Sequence, residues 1–310
     1  MHILKPKVIV TGAHGLLGSK LVRQLREKYD VYGIVREFRE PYAVDGIEYI
    51  EGDISKYKLL SKLARQLHPK FIFNAAAYTN VDRSETEKEA CWRTNVEAVE
   101  YLARAARLVD ARVIHVSTDY VFDGQNGPYR EEDRPNPLGY YAKSKLAGEN
   151  VLMASGANYA IARTMVVYGY APGVRPNFVT WVIDQLMQGK SIRVVDDQLG
   201  NPTLADELAE ALIVLADSNI QDVFHISGSE MIDRYHFALA IAEEFDLDGG
   251  LIERIKTAEL NQAAPRPLNS GFIIEKAEKA LGIRMSNVRM GLRKFKQQYA
   301  SVLQAKQAQA

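Results

Sequence analysis

Residues 7–36, KVIVTGAHGLLGSKLVRQLREKYDVYGIVR, decide how the rest of the chain reads. Val8-Ile9-Val10 is a short β-branched run of the kind that forms a buried parallel strand. Thr11 to Gly18 is a glycine-punctuated turn, Leu17, Leu21, Val22 and Leu25 recur at helical spacing, and Val31 to Val35 supplies a second strand. Each glycine has its own task in such a unit. Gly12 permits the tight turn, Gly15 lets backbone approach a pyrophosphate, and Gly18 lets the helix lie close on the sheet. The helix start offers unpaired N–H groups and a partial positive charge, which suits a dinucleotide. A plain turn that binds nothing is the alternative, but here both flanking elements are in place.

The bulk properties around this unit are ordinary. The 310 residues suffice for one large domain or two unequal ones. Lys+Arg and Asp+Glu both number 39, so no net charge recruits nucleic acid or an anionic membrane. The single cysteine, Cys91, cannot form an internal disulfide, and nothing around it has metal-ligand spacing. A reducing, cytoplasmic compartment is expected; no metal-ligand set is read, and whether magnesium is used is left open. The chain opens without signal-peptide architecture, and no apolar run approaches the roughly 18 residues of a membrane span. Residues 301–310, SVLQAKQAQA, read as a tail formed by a frayed helix end.

Strand two ends Gly33-Ile34-Val35-Arg36, with Arg39 close behind. A carboxylate there would accept the adenosine ribose hydroxyls, whereas an arginine accommodates a 2′-phosphate. Arg36 therefore favours NADP(H); NAD(H) is the alternative, because Glu37 is one residue away. Residues 47–52 give a third strand followed by Asp53-Ile54, where Asp53 would cap a helix from Ser55 to Leu67. Phe71 to Phe73 give a fourth, running into Asn74-Ala75-Ala76-Ala77, whose small side chains leave room for a flat ligand. A long helix is expected from about Glu85 to Val109, with Asn95 as a mid-helix polar residue.

The chemistry is expected past the fifth strand, Arg112 to Val116, which ends in Ser117-Thr118-Asp119. Open α/β sheets place their sites beyond the carboxyl ends of the strands. Tyr141-Ala142-Lys143-Ser144-Lys145 then opens a helix, with Tyr141 and Lys145 one turn apart on one face. A free tyrosine has a pKa near 10, and a lysine cation one turn away would draw it down. Tyr141 would be the general acid when a carbonyl is reduced, and Thr118 would donate a hydrogen bond to the same oxygen. Tyr140 is the local competitor, but its partner four residues on is Ser144, which carries no charge. Strand alternation would send Ser117 and Thr118 to opposite sides, and chemistry alone does not choose between them.

The glycine spacing resembles the short-chain dehydrogenase/reductase superfamily. The segments TGAHGLLG, NAAAYTNVDRSE, STDYVFDG, YAKSKLAGE, DDQLGNPT and APRPLNS resemble the dTDP-4-dehydrorhamnose reductase family from residue 11 to about 270. That resemblance implies Thr118, Asp119, Tyr141 and Lys145 as the catalytic set. For the cofactor it implies Gly12, His14, Gly15, Leu16, Leu17 and Gly18 of the turn, then Arg36, Asp53 and Ile54. Ala75, Ala76, Ala77 and Ser117 complete the groove with Tyr141 and Lys145, Asp53 contacts the adenine amino group, and Asn95 holds a kink and a water beside Lys145. The substrate contacts it implies are Thr79, Val81 and Asp82, then Asn177, Gln198 and Thr203, with Asn201 in the same segment, and Arg266 and Asn269. Arg266 could grip a diphosphate bidentately or merely bridge two surface loops.

The fold implied is an α/β, Rossmann-type doubly wound parallel sheet with a smaller, discontinuous C-terminal substrate lobe. Residues 1–165 and about 203–228 would bind the dinucleotide, and about 166–202 and 229–300 the substrate. In the second half, helices are expected over 177–189, Asp206 to Ala216, Arg234 to Phe245, Ile274 to Leu281 and Val288 to Leu303, with strands at 192–195 and Val223 to Ile226. The function implied is NADP(H)-dependent reduction of a nucleotide-linked 4-keto-6-deoxy sugar, as in dTDP-rhamnose biosynthesis. The family reads RTSWVYG after the sixth strand, Ala160 to Ala162, where this chain reads RTMVVYG. Val166 standing in the tryptophan's place leaves the sugar and nucleotide open. A nucleotide-sugar epimerase of the same fold is one alternative. Another is a non-catalytic NADP-binding subunit similar to the methionine adenosyltransferase β-subunit. Dehydration is disfavoured, because TDYVF lacks the Asp-Glu pair of dehydratases. The oligomeric state is open, with a homodimer as the candidate.

Overall fold

Apolar residues in the strands alternate between two cores, which is why the main sheet is covered on both faces. Val8, Val10, Phe71, Phe73 and Ile114 point into one cluster, and Ile9, Ile34, Ile72, Val113 and Ile161 into the other. The computed structural model describes residues 5–307. Its first half runs β1 (Lys7–Thr11), α1 (Leu16–Leu25), β2 (Asp30–Val35), β3 (Glu48–Glu51), α2 (Tyr57–Leu67) and β4 (Phe71–Asn74). It continues through α3 (Lys88–Trp92), α4 (Ala98–Arg107), β5 (Arg112–Thr118), α5 (Tyr140–Ala154) and β6 (Asn158–Thr164).

The second half moves between two layers. It contains β7 (Val167–Tyr168), α6 (Phe178–Met187), β8 (Ile192–Val195), β9 (Leu199–Gly200), β10 (Thr203–Leu204), α7 (Ala205–Asp217) and β11 (Val223–His225). Then come β12 (Ile232–Asp233), α8 (Arg234–Glu244), β13 (Ile252–Ile255), α9 (Glu275–Leu281) and α10 (Val288–Gln307). The main sheet has the order β11-β6-β5-β4-β1-β2-β3, with every neighbouring pair parallel. The order reverses between β1 and β4, so a crevice opens there at the carboxyl ends of the strands. A third cluster, including Val179, Val182, Phe237, Ile241, Leu292 and Phe295, joins α6, α8 and α10 with β8 into the smaller lobe.

Three elements differ from expectation. The helix expected over residues 85–109 is broken into a 3-10 turn (Arg83–Glu85), α3, a π turn (Arg93–Glu97) and α4. The wide turn carries Asn95, whose side chain bonds the backbone of Tyr78. Helix α9 belongs to the main-sheet core, where Ala277 and Leu281 pack, and not to the smaller lobe. Lys276 fastens it there, through the Val223 carbonyl and the Asp222 carboxylate. Helix α10 runs four residues beyond the expected Leu303, through Gln307, with Val302 and Leu303 on the third cluster. No described helix is long and apolar enough to cross a membrane.

The glycines of the first turn are constrained by backbone. Gly12 has φ +67°, and a Cβ there would stand 2.9 Å from the Ala76 Cα. At Gly18 it would stand 2.1 Å from the Gly12 carbonyl oxygen, so Gly18 seats α1 on its own turn and not on the sheet. Gly18→Ala should therefore force α1 away from the turn, costing about 1–3 kcal/mol in urea denaturation and weakening NADP(H) binding. An unchanged urea midpoint would contradict this seating.

Candidate active site

The cofactor cradle begins where α1 begins. Gly15 is its N-cap and has no side chain to satisfy the first turn, which leaves the Leu16 and Leu17 N–H groups facing outward for an anion. The opposite wall is Ala75 to Ala77. The Ala76 N–H donates to the Thr11 hydroxyl (3.2 Å), which donates to the Asn74 side-chain oxygen (2.7 Å), and the Asn74 amide contacts His115 Nδ1 (2.9 Å). This buried polar row crosses β1, β4 and β5 at the level where the crevice opens. A glycine cradle with an uncapped helix start fits a dinucleotide pyrophosphate.

His14 lies in the same turn, boxed by the rings of Phe38, Tyr42 and Tyr49 at centroid distances of 5.8, 5.5 and 4.9 Å. Burial holds its imidazole below the ordinary value, with the Glu37 backbone opposing in part. Arg36 is exposed at the end of β2 and lies within electrostatic reach of Asp53, next to Ile54, which is buried. Arg39 is drawn instead to Glu37 at 2.7 Å. Asp53 does not cap α2. Its carboxylate accepts the Ser55 N–H at 2.9 Å in a turn before the helix. Partial burial pushes that carboxyl up, but Ser55, Arg36 and Lys56 together hold it below the ordinary value.

Helix α5 borrows its caps. Its N-cap, Gly139, has no side chain, so the Tyr140 N–H donates to Glu85 Oε1 (2.7 Å) and the Tyr141 N–H to Ser84 Oγ (3.1 Å). One turn on, Lys145 is buried and its Nζ donates to the Val116 carbonyl at 2.7 Å. Asn95 braces the same helix, donating to Ser144 Oγ (2.9 Å) while exchanging two hydrogen bonds with the Tyr78 backbone. Thr118, Asp119, Tyr141 and Lys145 are thus gathered at the end of β5.

Their electrostatics depart from expectation. Burial pushes the Tyr141 phenol up; the Thr118 hydroxyl opposes this, and Asp119 and Tyr120 add to it. The Lys145 ammonium does not reverse that rise, since it is itself desolvated, pushed down to about 8, and bonded to Val116. Tyr141 therefore keeps its proton at neutral pH, which is what an acid in a reduction requires. Thr118 is also not free to donate to a substrate oxygen as expected. Its hydroxyl donates to Asp119 Oδ1 (3.0 Å), while Ser270 donates to Oδ2 (2.6 Å), and a carboxylate only accepts. The Thr118 lone pairs remain, one taking the Tyr120 N–H at 3.3 Å. The neighbouring Ser117 Oγ is buried and has no partner among the described residues.

The substrate side is laid over this corner by residues 264–270. A Cβ on Gly124 would stand 2.6 Å from the Leu268 nitrogen, and one on Gly127 would stand 2.2 Å from the Asn269 carbonyl oxygen. Arg266 pairs with Asp82 at 2.8 Å and also donates to the Ala264 carbonyl, which is the loop-bridging alternative. Asn269 donates its Nδ2 to the Gly127 carbonyl at 2.9 Å, while its Oδ1 is buried with no partner among the described residues. Thr203 is fully buried, its hydroxyl shared between the Asn201 carbonyl and the Gly228 N–H, and it shapes the turn without facing the cleft. Asn201 likewise bonds Gly228 and Phe272, and Gln198 reaches Thr257 at 3.1 Å. Asn177 caps α6 and donates to the Gly169 carbonyl. Thr79 is exposed, with Val81 half-buried beside Asp82.

Sequence reading missed two residues here. Ser270 reaches Asp119, although nothing in APRPLNS marks it out from its neighbours. Arg234 opens α8 and lies within electrostatic reach of Tyr120, Asp119 and Arg266. A lone arginine at a helix start gives no sequence signal of that kind. Among the described residues no cluster of His, Cys, Asp or Glu could hold a metal.

Burial raises the Asp119 carboxyl from 3.8 to about 6, with Ser270, Thr118 and Arg234 opposing. The folded chain then binds more protons than the unfolded one between those values, so this contribution to stability is lost as pH rises through about 6. Denaturation across pH 4–7 should show wild type losing stability relative to Asp119→Asn up to about pH 6, with a flat difference above. A flat difference throughout would contradict the raised carboxyl.

A family model for the RmlD substrate binding domain matches residues 6–301. The dTDP-4-dehydrorhamnose reductase of Mycobacterium tuberculosis is 37% identical over 267 residues, 84% of this chain and 82% of its own length. Methionine adenosyltransferase 2 subunit beta of Xenopus tropicalis is 32% identical over 295 residues, 93% of this chain and 86% of its own. Among solved structures, dTDP-4-dehydrorhamnose reductase from Bacillus anthracis in complex with NADP superposes with a TM-score of 0.85 at 30% identity, covering 94% of this chain and 99% of that one. Sheet order, glycine turn and matched span agree, and the chain belongs to the RmlD substrate binding domain family.

Proposed function

We propose that this protein is an NADP(H)-dependent reductase of a nucleotide-linked 4-keto-6-deoxy sugar, dTDP-4-dehydrorhamnose or a close relative, acting in the cytoplasm. The observation that carries this reading is the placement of Tyr141 and Lys145 on one turn of α5, against the end of β5 and beside the crevice. NADP(H) is favoured by Arg36, with NAD(H) the alternative.

Bound NADPH supplies a hydride to the keto carbon; the chain supplies the proton and the geometry. Tyr141, held as the neutral phenol by burial, gives its proton to the oxygen of that carbon. The resulting phenolate sits one turn from the Lys145 ammonium, which offsets its charge. Asp119, accepting from both Thr118 and Ser270, holds the Thr118 hydroxyl in place beside the phenol. The lobe built on α6, α8 and α10 chooses the sugar, and Val166 leaves it without the family's tryptophan face.

Tyr141→Phe should lower turnover by roughly 10²–10⁴-fold with NADP(H) affinity retained, measured as NADPH oxidation on nucleotide-linked 4-ketosugars. Undiminished turnover would reject the assignment. The second reading is a non-catalytic subunit, favoured by the 32% identity to methionine adenosyltransferase 2 subunit beta. Wild type that binds NADP(H), oxidises it on no ketosugar, and co-purifies with a larger partner enzyme would support that reading instead.

A further inference from the structure

Two guanidinium groups face the catalytic corner, and they are not equivalent. Arg266 is already paired with Asp82 at 2.8 Å and bonded to the Ala264 carbonyl. Among the described residues the Arg234 side chain makes no ion pair and no hydrogen bond; its guanidinium stands 5.2 Å from the Phe178 ring centroid. The carboxylate nearest in sequence, Asp233, is turned away, capping α8 through the His236 N–H (2.9 Å) and pairing with His236 Nδ1 (2.6 Å). The oxygens of Asp119, within electrostatic reach of Arg234, are taken by Thr118 and Ser270. Arg234 is held where it is by backbone, its N–H on the Gln198 carbonyl at 3.2 Å and its helix on the third core cluster.

A half-buried cation set beside a second cation, without a bonded counter-charge, is unfavourable unless an anion joins them. We propose that Arg234 supplies the charge that recognises the diphosphate of the nucleotide sugar, with Arg266 as a second arm already committed to Asp82. This rests on the nucleotide-sugar reading above and assigns the recognition to a residue that reading did not use. The aromatic face of Phe178 lies 5.2 Å from the guanidinium carbon and supports the planar group, whose fork suits bidentate contact with phosphate oxygens.

The test is calorimetric titration of thymidine and uridine diphosphates, and of the uncharged nucleosides, into wild type, Arg234→Met and Arg234→Lys. Arg234→Met should weaken diphosphate binding by roughly 10–100-fold, leave nucleoside affinity unchanged, and flatten the salt dependence of diphosphate binding. Arg234→Lys should recover part of the loss. Unchanged NADP(H) affinity in Arg234→Met serves as the folding control, and the lysine variant, which keeps the charge, separates recognition from packing on Phe178. Equal diphosphate affinity in wild type and Arg234→Met would overturn this inference and leave the reductase reading standing. Wild type that binds neither nucleoside diphosphate would overturn both.

Discussion

The bond from the Lys145 ammonium to the Val116 carbonyl ties the catalytic helix to the central strand, and the geometry of the site depends on it. A cation buried this deeply is tolerated only with partners, so the helix cannot slide along β5 without stranding it. The rest of α5 is arranged to agree with that fixed point. Ser84 and Glu85 close its first turn, Asn95 holds its second through Ser144, and Glu149 forms a buried ion pair with Arg163 of β6 at 2.7 Å. Five contacts from four parts of the chain therefore place one tyrosine.

The smaller lobe joins this frame through backbone, not through a hydrophobic seam alone. Residues 267–269 pass so near Gly124 and Gly127 that any side chain at either glycine would collide with main chain. Tyr129 and Phe272 extend the contact as a short parallel bridge, and Ser270 carries it to Asp119. A displacement of that strip would be felt at the carboxylate that orients Thr118. In the proposed function, sugar selection and proton delivery would accordingly be linked by a stretch of chain only a few residues long.

Much of this was legible in the sequence, and what was not has physical reasons. The βαβ unit, the seventh strand at Val223–His225 and the Tyr141–Lys145 pair all rest on local spacing, which sequence displays directly. The π turn does not, because its extra residue alters no side-chain pattern and shows only in where Asn95 points. Helix α9 reads as amphipathic wherever it docks, so its place on the main sheet depends on Lys276 finding Asp222 and Val223 in space. Asn269 and Thr203 sit in segments that resemble a substrate site, yet the Thr203 hydroxyl and the Asn269 amide nitrogen are consumed by the turns that present it. Motif resemblance marks the segment, and which of its side chains face the cleft is decided by tertiary hydrogen bonding.

The imidazole enclosed by Phe38, Tyr42 and Tyr49 bears on what kind of attraction the nucleotide groove exerts. Walled in by rings, it stays uncharged at physiological acidity, so the loop that meets the pyrophosphate brings peptide dipoles and no ionic side chain of its own. Attraction of that sort is short in range and indifferent to mild acidification. With NADP(H) bound as proposed, the long-range pull on the polyanionic coenzyme would fall instead to the Arg36 guanidinium at the adenosine end, so the molecule would be drawn in by its tail and fastened at its middle.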